Sequence, residues 1–157
     1  MSMKIDSSGA AHLKVHVDAR SSEAGFEDLI HALRHPHLVF GEAAGPDLVA
    51  TCALADWEAS SAALKRVLEH GGQSAGDALM ALRLAGEFTR QHRIQLEGSP
   101  WLCVFEMDDE PWARYDIHTS LSNRAATIWD NRFDDILRKS KLERESFYLR
   151  FTDGGPL

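Results

Sequence analysis

The residues of this chain best suited to chemistry stand at alternate positions of one predicted strand: Arg114, Asp116 and His118. Side chains alternate between the two faces of a strand, so these three share a face, with neighbours about 6 to 7 Å apart. A carboxylate two residues from a histidine can orient the imidazole for acid and base catalysis, and a nearby arginine can hold an anion. His118 and Asp116 are therefore candidate catalytic residues, and Arg114 is a candidate ligand-binding residue.

The strand is half of a hairpin predicted over residues 101 to 118, whose other half is the apolar run WLCVF. Antiparallel sheets often have one solvated face that carries cross-strand ion pairs. The simpler interpretation of the polar face is therefore a wet surface without a ligand. The sequence leaves both interpretations open.

Arg132 is a further candidate ligand-binding residue, on a helix predicted over residues 122 to 139. It falls within the apolar stripe of that helix, where a charge is costly unless it is paired. A structural ion pair would join it to Asp116 or Glu106. The alternative is a pocket for an anionic ligand between this helix and the 101–118 hairpin. The predicted stripe consists of Ala125, Ile128, Trp129, Phe133 and Ile136.

The helix predicted over residues 75 to 90 is apolar on two nearly opposite sides. Met80, Leu84 and Phe88 recur every four residues and form one side. Such a helix must be covered on both sides, by its own domain or by a partner. We expect a protein partner, including a second copy of the chain, to contact Met80, Leu84 and Phe88; burial within the domain is the alternative. The other side consists of Ala78, Leu79, Leu82 and Gly86.

Residues 72 to 76 match G-x-S-x-G, the sequence of the nucleophile elbow in α/β-hydrolases. A predicted helix precedes them where the elbow needs a strand, and the chain is too short for the sheet of that fold. Ser74 is instead expected to cap the following helix, with Asp77 at the capping-box spacing.

His31, His35 and His37 have a spacing that can present imidazoles to one metal ion. His31 and His35 point away from the predicted apolar face of their helix, and a zinc site needs a complete ligand shell. We expect no metal site, although the sequence alone leaves metal binding by these three residues open.

Composition sets the broad class of the protein. The 157 residues are enough for one domain with its own core. The 17 basic and 24 acidic residues give a formal net charge of −7, and the basic residues are scattered, so binding to nucleic acid or to an anionic membrane is not expected. Cys52 and Cys103 are expected to be free thiols. No secretory signal or long apolar run is recognisable, so we expect a cytoplasmic protein.

The remaining pattern predicts one α+β domain over residues 11 to 157, preceded by a flexible tail over residues 1 to 10. Strands and helices are mixed without regular alternation, which favours a mostly antiparallel or mixed sheet with about four helices packed on it. Predicted strands lie near residues 13–17, 38–40, 48–55, 94–96 and 147–151, beside the 101–118 hairpin, and predicted helices near 21–34, 56–70, 74–90 and 122–139.

These features favour a small acidic accessory protein that binds another protein, such as an adaptor, a chaperone or an immunity protein, and that self-associates. No P-loop, dinucleotide-binding glycine motif or paired CxxC is present, and no cofactor is expected. The alternative is a small enzyme or anionic-ligand-binding domain whose site lies between the hairpin and the last helix and contains the four candidate residues named above. Whether the protein is an enzyme stays open at this stage.

Overall fold

The computed structural model describes residues 19–45, 48–52, 56–106, 110–142 and 146–153, with side chains described from residue 25 onward. The predicted tail at 1–10 and the predicted strand at 13–17 lie outside these residues. The helices are α1 (Ala19–Arg34), α2 (His37–Phe40), α3 (Trp57–His70), α4 (Ala75–Gln91) and α5 (Asn123–Lys139), and a short 3₁₀ turn (Gly41–Ala43) follows α2. The strands are β1 (Thr51–Cys52), β2 (Trp101–Phe105), β3 (Trp112–His118) and β4 (Phe147–Thr152).

The four strands form one mixed sheet in the order β1-β2-β3-β4. β2 and β3 are the antiparallel hairpin that the sequence predicts, while β1 runs parallel to β2 and β4 runs parallel to β3. A mixed sheet with four long helices and the short α2 in the described part of the chain confirms the α+β prediction. Among the described residues, no helix has the length and apolar character needed to cross a membrane.

Side-chain caps explain where three of the long helices begin. Asp56, Ser74 and Ser122 each accept a hydrogen bond from the backbone N–H three residues later, at the start of α3, α4 and α5. Such a bond satisfies one of the N–H groups that the first turn of a helix leaves without a partner. The predicted starts of these helices are confirmed, and so is the interpretation of Ser74 as a cap.

Two short predicted strands are wrong. Residues 38–40 belong to α2, where two backbone N–H groups donate to the Pro36 carbonyl at 3.0 and 2.8 Å. Pro36 starts this turn because its fixed φ suits a helix and it has no N–H of its own to satisfy. A three-residue apolar run carries too little periodicity to separate helix from strand. The predicted strand at 94–96 is reduced to a single bridge between Leu96 and Thr119.

The central helix α4 packs against α1 and α2 and also contacts α5 and β4. Phe88 is 3% exposed, and its ring centroid lies 5.4 Å from that of Phe133 and 5.7 Å from that of Phe151. The predicted partner contact through Phe88 is therefore wrong, because α5 and β4 of the same chain cover this side chain. Leu84 is half-buried against the core, whereas Met80 is 47% exposed.

The helix α2 approaches α4 so closely that a side chain at the crossing would collide with it. A Cβ built on Gly86 would lie 2.2 Å from the Val39 carbonyl oxygen, far inside van der Waals contact. Gly76, near the start of the same helix, is different: its Cβ would meet nothing closer than the Ser74 hydroxyl at 3.9 Å. Glycine at position 86 thus allows α2 to bury Val39 and Phe40 in the core.

We expect Gly86→Ala to lower the free energy of unfolding by about 1 to 3 kcal/mol, because overpacking against a backbone carbonyl forces α2 to move. Gly76→Ala is the matched control in the same helix and should raise the free energy of unfolding by about 0.5 kcal/mol, through the better helix propensity of alanine. Urea denaturation measures both values. Equal effects of the two substitutions would contradict the close approach of α2.

Candidate functional site

The sheet has one polar face, and strand pairing brings the predicted site residues together on it. Arg114, Asp116 and His118 project to this face, while the alternating apolar residues of β3 are completely buried on the other. Asp116 lies opposite Arg150 of β4, and His118 lies opposite Thr152. The helix α5 packs along β4 at the border of this face. The face is therefore a partly covered surface rather than an open, solvated one.

A buried carboxylate lies at the centre of the polar face. The Asp116 side chain is 6% exposed, and its Oδ1 lies 2.7 Å from Nε of Arg114 and 3.3 Å from Nε of Arg150. These two positive charges offset the cost of burying a carboxylate. Each of these contacts is made through Nε, and every guanidinium group also carries two terminal Nη nitrogens. Those nitrogens belong to the planar fork that binds carboxylate or phosphate groups.

His118 lies at one end of the polar face. Its Nδ1 is 2.6 Å from the Thr152 hydroxyl oxygen. A hydrogen bond between these atoms orients the ring and leaves Nε2 for other partners. His118 and Asp116 lie in one cleft, but among the described residues their recorded partners differ. His118 is hydrogen-bonded to Thr152, and Asp116 is paired with Arg114 and Arg150. Asp116 thus holds two arginines instead of orienting the imidazole.

Asp130 of α5 is a site residue that the sequence analysis missed. Its Oδ1 accepts a hydrogen bond of 2.9 Å from the Phe151 backbone N–H of β4. Burial raises the pKa of the Asp130 carboxyl to about 6, and like charges nearby act in the same direction, whereas the Phe151 N–H and the Arg150 guanidinium oppose the shift. A carboxyl with a pKa near 6 can take up and release a proton close to neutral pH.

The spacing of the buried residues on α5 is the signal that could have identified Asp130. Ala126, Phe133 and Leu137 are buried, and Asp130 falls between the first two on the same side of the helix. The stripe predicted from the sequence is rotated away from this side, because it included Ile128, which is 46% exposed. Asp130, which lies within the observed buried stripe, therefore lines the cleft. Arg132, which lies within the predicted stripe, does not line it.

Arg132 lies outside the cleft. It is exposed, and its guanidinium carbon lies 4.7 Å from the centroid of the Trp129 ring. The predicted ion pair with Asp116 or Glu106 is wrong, because Asp116 is paired with arginines of the sheet and Glu106 is paired with Arg66 at 2.9 Å. The second arginine of the cleft comes from β4 instead of α5.

The polar face and α5 border a cleft made of two adjoining cavities. The smaller has a volume of about 410 Å³ and contains Asp116 and His118. The larger has a volume of about 720 Å³ and extends past Trp112 and Tyr148. Burial raises the pKa of the Cys103 thiol in the smaller cavity, which disfavours the nucleophilic thiolate. The residues that line both cavities are Arg114, Asp130 and Arg150.

Comparison with known proteins finds no matching family model and no significant similarity to a curated protein or a solved structure. The chemistry of the cleft therefore rests on its own side chains. In the smaller cavity these include two arginines, His118, the buried carboxylate of Asp116 and the Asp130 carboxyl, whose pKa is raised.

The three histidines with metal-ligand spacing do not line the cleft. Their rings are neighbours, with centroids 4.8 Å apart between His31 and His35 and 6.5 Å apart between His35 and His37. Burial lowers the pKa of His35, and the neighbouring charges, including that of Arg34, add to this effect. Within the described ranges, no group of three or more His, Cys, Asp or Glu side chains is arranged to hold a metal ion.

Asp130→Asn should stabilise the protein relative to wild type more at pH 7.5 than at pH 4.5. The folded-state pKa of about 6 lies above the unfolded value near 4, so the stability that this carboxyl contributes is complete below about pH 4 and is lost as the pH rises through about 6. The difference between variant and wild type should grow by about 1 kcal/mol between the two pH values, after allowance for partial exposure.

Urea denaturation at both pH values measures this difference in the free energy of unfolding. Glu87→Gln, an exposed substitution on α4, is the control and should show no such growth. A difference that is the same at pH 4.5 and pH 7.5 for Asp130→Asn would contradict the raised pKa.

Proposed function

We propose that this protein binds a small ligand bearing a phosphate or carboxylate group in the cleft between the 101–118 hairpin and α5. The observation that carries the proposal is the pair Arg114 and Arg150, which one buried carboxylate holds through Nε of each. Their terminal nitrogens can donate in pairs to the oxygens of an anion. This is the alternative function that the sequence analysis left open.

Asp116 favours anion binding by the arginine pair in two ways. Guanidinium groups that are already held lose less conformational freedom when a ligand binds. One carboxylate between two guanidinium groups also lowers their mutual repulsion, and these three groups together still carry a net positive charge. The Arg114 side chain is 25% exposed, so its interaction with an anion is screened less than at an open surface.

The cleft also contains groups for acid and base chemistry. His118 and Asp130 line the smaller cavity together with the two arginines. Because burial raises the pKa of Asp130 to about 6, this carboxyl can act as an acid or a base near neutral pH. An enzyme with this site would hold its substrate by the anionic group and transfer a proton through one of these side chains.

Arg150→Gln should weaken the binding of a small anion by about tenfold or more, because it removes charge-assisted hydrogen bonds to the ligand. Arg150 is the better test because Arg114 stays in place to pair with Asp116. Titration with inorganic phosphate and, separately, with succinate is followed through the arginine Nε–H resonances in NMR spectra. Saturable shifts are expected for Arg114 and Arg150 in the wild type.

Arg83→Gln is the matched control, since Arg83 is an exposed arginine of α4 that does not line the cleft. It should leave the affinity for both anions unchanged. If neither anion causes saturable shifts, or if Arg150→Gln binds the anions as tightly as Arg83→Gln does, the anion-binding proposal is wrong.

Binding of a protein partner, including a second copy of the chain, is the second candidate function. The observation that favours it is Met80, which is 47% exposed on α4 beside the half-buried Leu84. An exposed methionine next to an apolar neighbour is common at protein interfaces. Because Phe88 is covered by its own chain, such an interface would use the first half of α4.

If α4 mediates self-association, Met80→Glu should convert a wild-type dimer into a monomer at the same concentration, because it places a charge in an apolar contact. Ile128→Glu introduces the same charge at a similarly exposed apolar residue of α5 and should leave the dimer intact. Sedimentation velocity measures the three species. A monomeric wild type would contradict self-association.

A further inference from the structure

The larger cavity of the cleft has an aromatic end. Phe105 of β2 and Trp112 of β3 are stacked, with centroids 4.1 Å apart and ring planes at 18°. Tyr148 of β4 stands nearly perpendicular to Trp112, at 83° and 6.0 Å, and is 39% exposed. Two rings at a right angle form a corner in which a third planar ring can stack on the face of one and direct its edge toward the face of the other.

The aromatic end continues directly into the arginine pair. Arg114 lies opposite Tyr148 in the sheet, and its guanidinium carbon is 5.9 Å from the centroid of Trp112. Arg150 follows Tyr148 on the same strand face, and alternate residues of a strand are about 7 Å apart. A ring at the corner and an anionic group at the arginines would therefore be separated by about 7 Å.

From this juxtaposition we infer that the anion bound in the cleft carries a planar aromatic ring, as a nucleoside monophosphate does. This inference rests on the proposed function and specifies its ligand. The ring stacks at Trp112 and Tyr148, and the phosphate or carboxylate accepts hydrogen bonds from Arg114 and Arg150.

The acidic residues of the larger cavity favour a ligand that has a single anionic group. Glu110 and Asp134 line this cavity along with the aromatic residues. Carboxylates in the same cavity would repel a second phosphate group and can accept hydrogen bonds from ring amines or sugar hydroxyls. A ligand with one anionic group fits this arrangement better than a polyanion such as nucleic acid, in agreement with the net charge of −7.

Calorimetric titration with adenosine 5′-monophosphate and ribose 5-phosphate tests the inference, since the two share a phosphate and differ in the ring. The ring-bearing compound should bind about tenfold tighter, which is the usual effect of stacking one base on aromatic side chains. A second pair, 4-phenylbutyrate and butyrate, makes the same comparison for a carboxylate. The pair that shows the preference identifies the anionic group.

Tyr148→Thr removes the ring and keeps a residue that suits a strand, and Tyr148→Phe keeps the ring. The first variant should lose the tenfold preference without weakening the ring-free anion, and the second should retain it. Ile128→Ala, at an exposed apolar residue outside the cleft, should change nothing. Thermal unfolding confirms that each variant is folded.

The outcomes separate the inference from the function on which it rests. Equal binding of ring-bearing and ring-free anions in both pairs would contradict the inference of an aromatic ligand. So would a Tyr148→Thr variant that binds all of them more weakly to the same extent. In either case the proposal of anion binding would remain supported. If no anion of either pair binds, both proposals are wrong.

Discussion

The buried carboxylate of Asp116 is the constraint on which the cleft depends. A charge at 6% exposure has to be compensated, and its two partners come from different strands, Arg114 from β3 and Arg150 from β4. This arrangement requires the observed parallel pairing of β3 with β4, in which Asp116 lies opposite Arg150. A shift of β4 by one residue would turn Arg150 to the apolar face and leave the carboxylate with one partner. The charge cluster of the cleft therefore depends on the register of the sheet.

The contact that attaches α5 to the sheet also contributes a functional group. Asp130 accepts a hydrogen bond from the Phe151 N–H at the edge of the sheet, which satisfies a backbone donor of an edge strand. The same partial burial raises the pKa of the Asp130 carboxyl to about 6. One residue thus has a structural role at the edge of β4 and the proton-transfer role that we propose in the cleft, and its substitution is expected to affect both.

The parts of the fold that were predicted correctly depend on local patterns. The hairpin, its alternation and the caps at the starts of α3, α4 and α5 need no knowledge of distant residues. The errors arose where local patterns are ambiguous. The apolar run at 38–40 is too short to show a period. The pattern of α5 predicts an apolar stripe on the side of Arg132, because exposed and buried apolar residues look alike in a sequence. The sequence predicts a partner contact for Phe88 because it does not show that the ring of Phe133 on α5 lies against this side chain.

The sequence is sufficient to place Arg114, Asp116 and His118 on one strand face, since alternation is a property of the backbone of a single strand. It also determined the helix starts, since capping involves residues three positions apart. The contacts between distant segments add that Arg150 completes the charge cluster, that Asp130 reaches the cleft and that Phe88 of α4 is covered by its own chain. These features could not be predicted because register and burial depend on which distant segments meet, and the packing of the whole core determines those contacts.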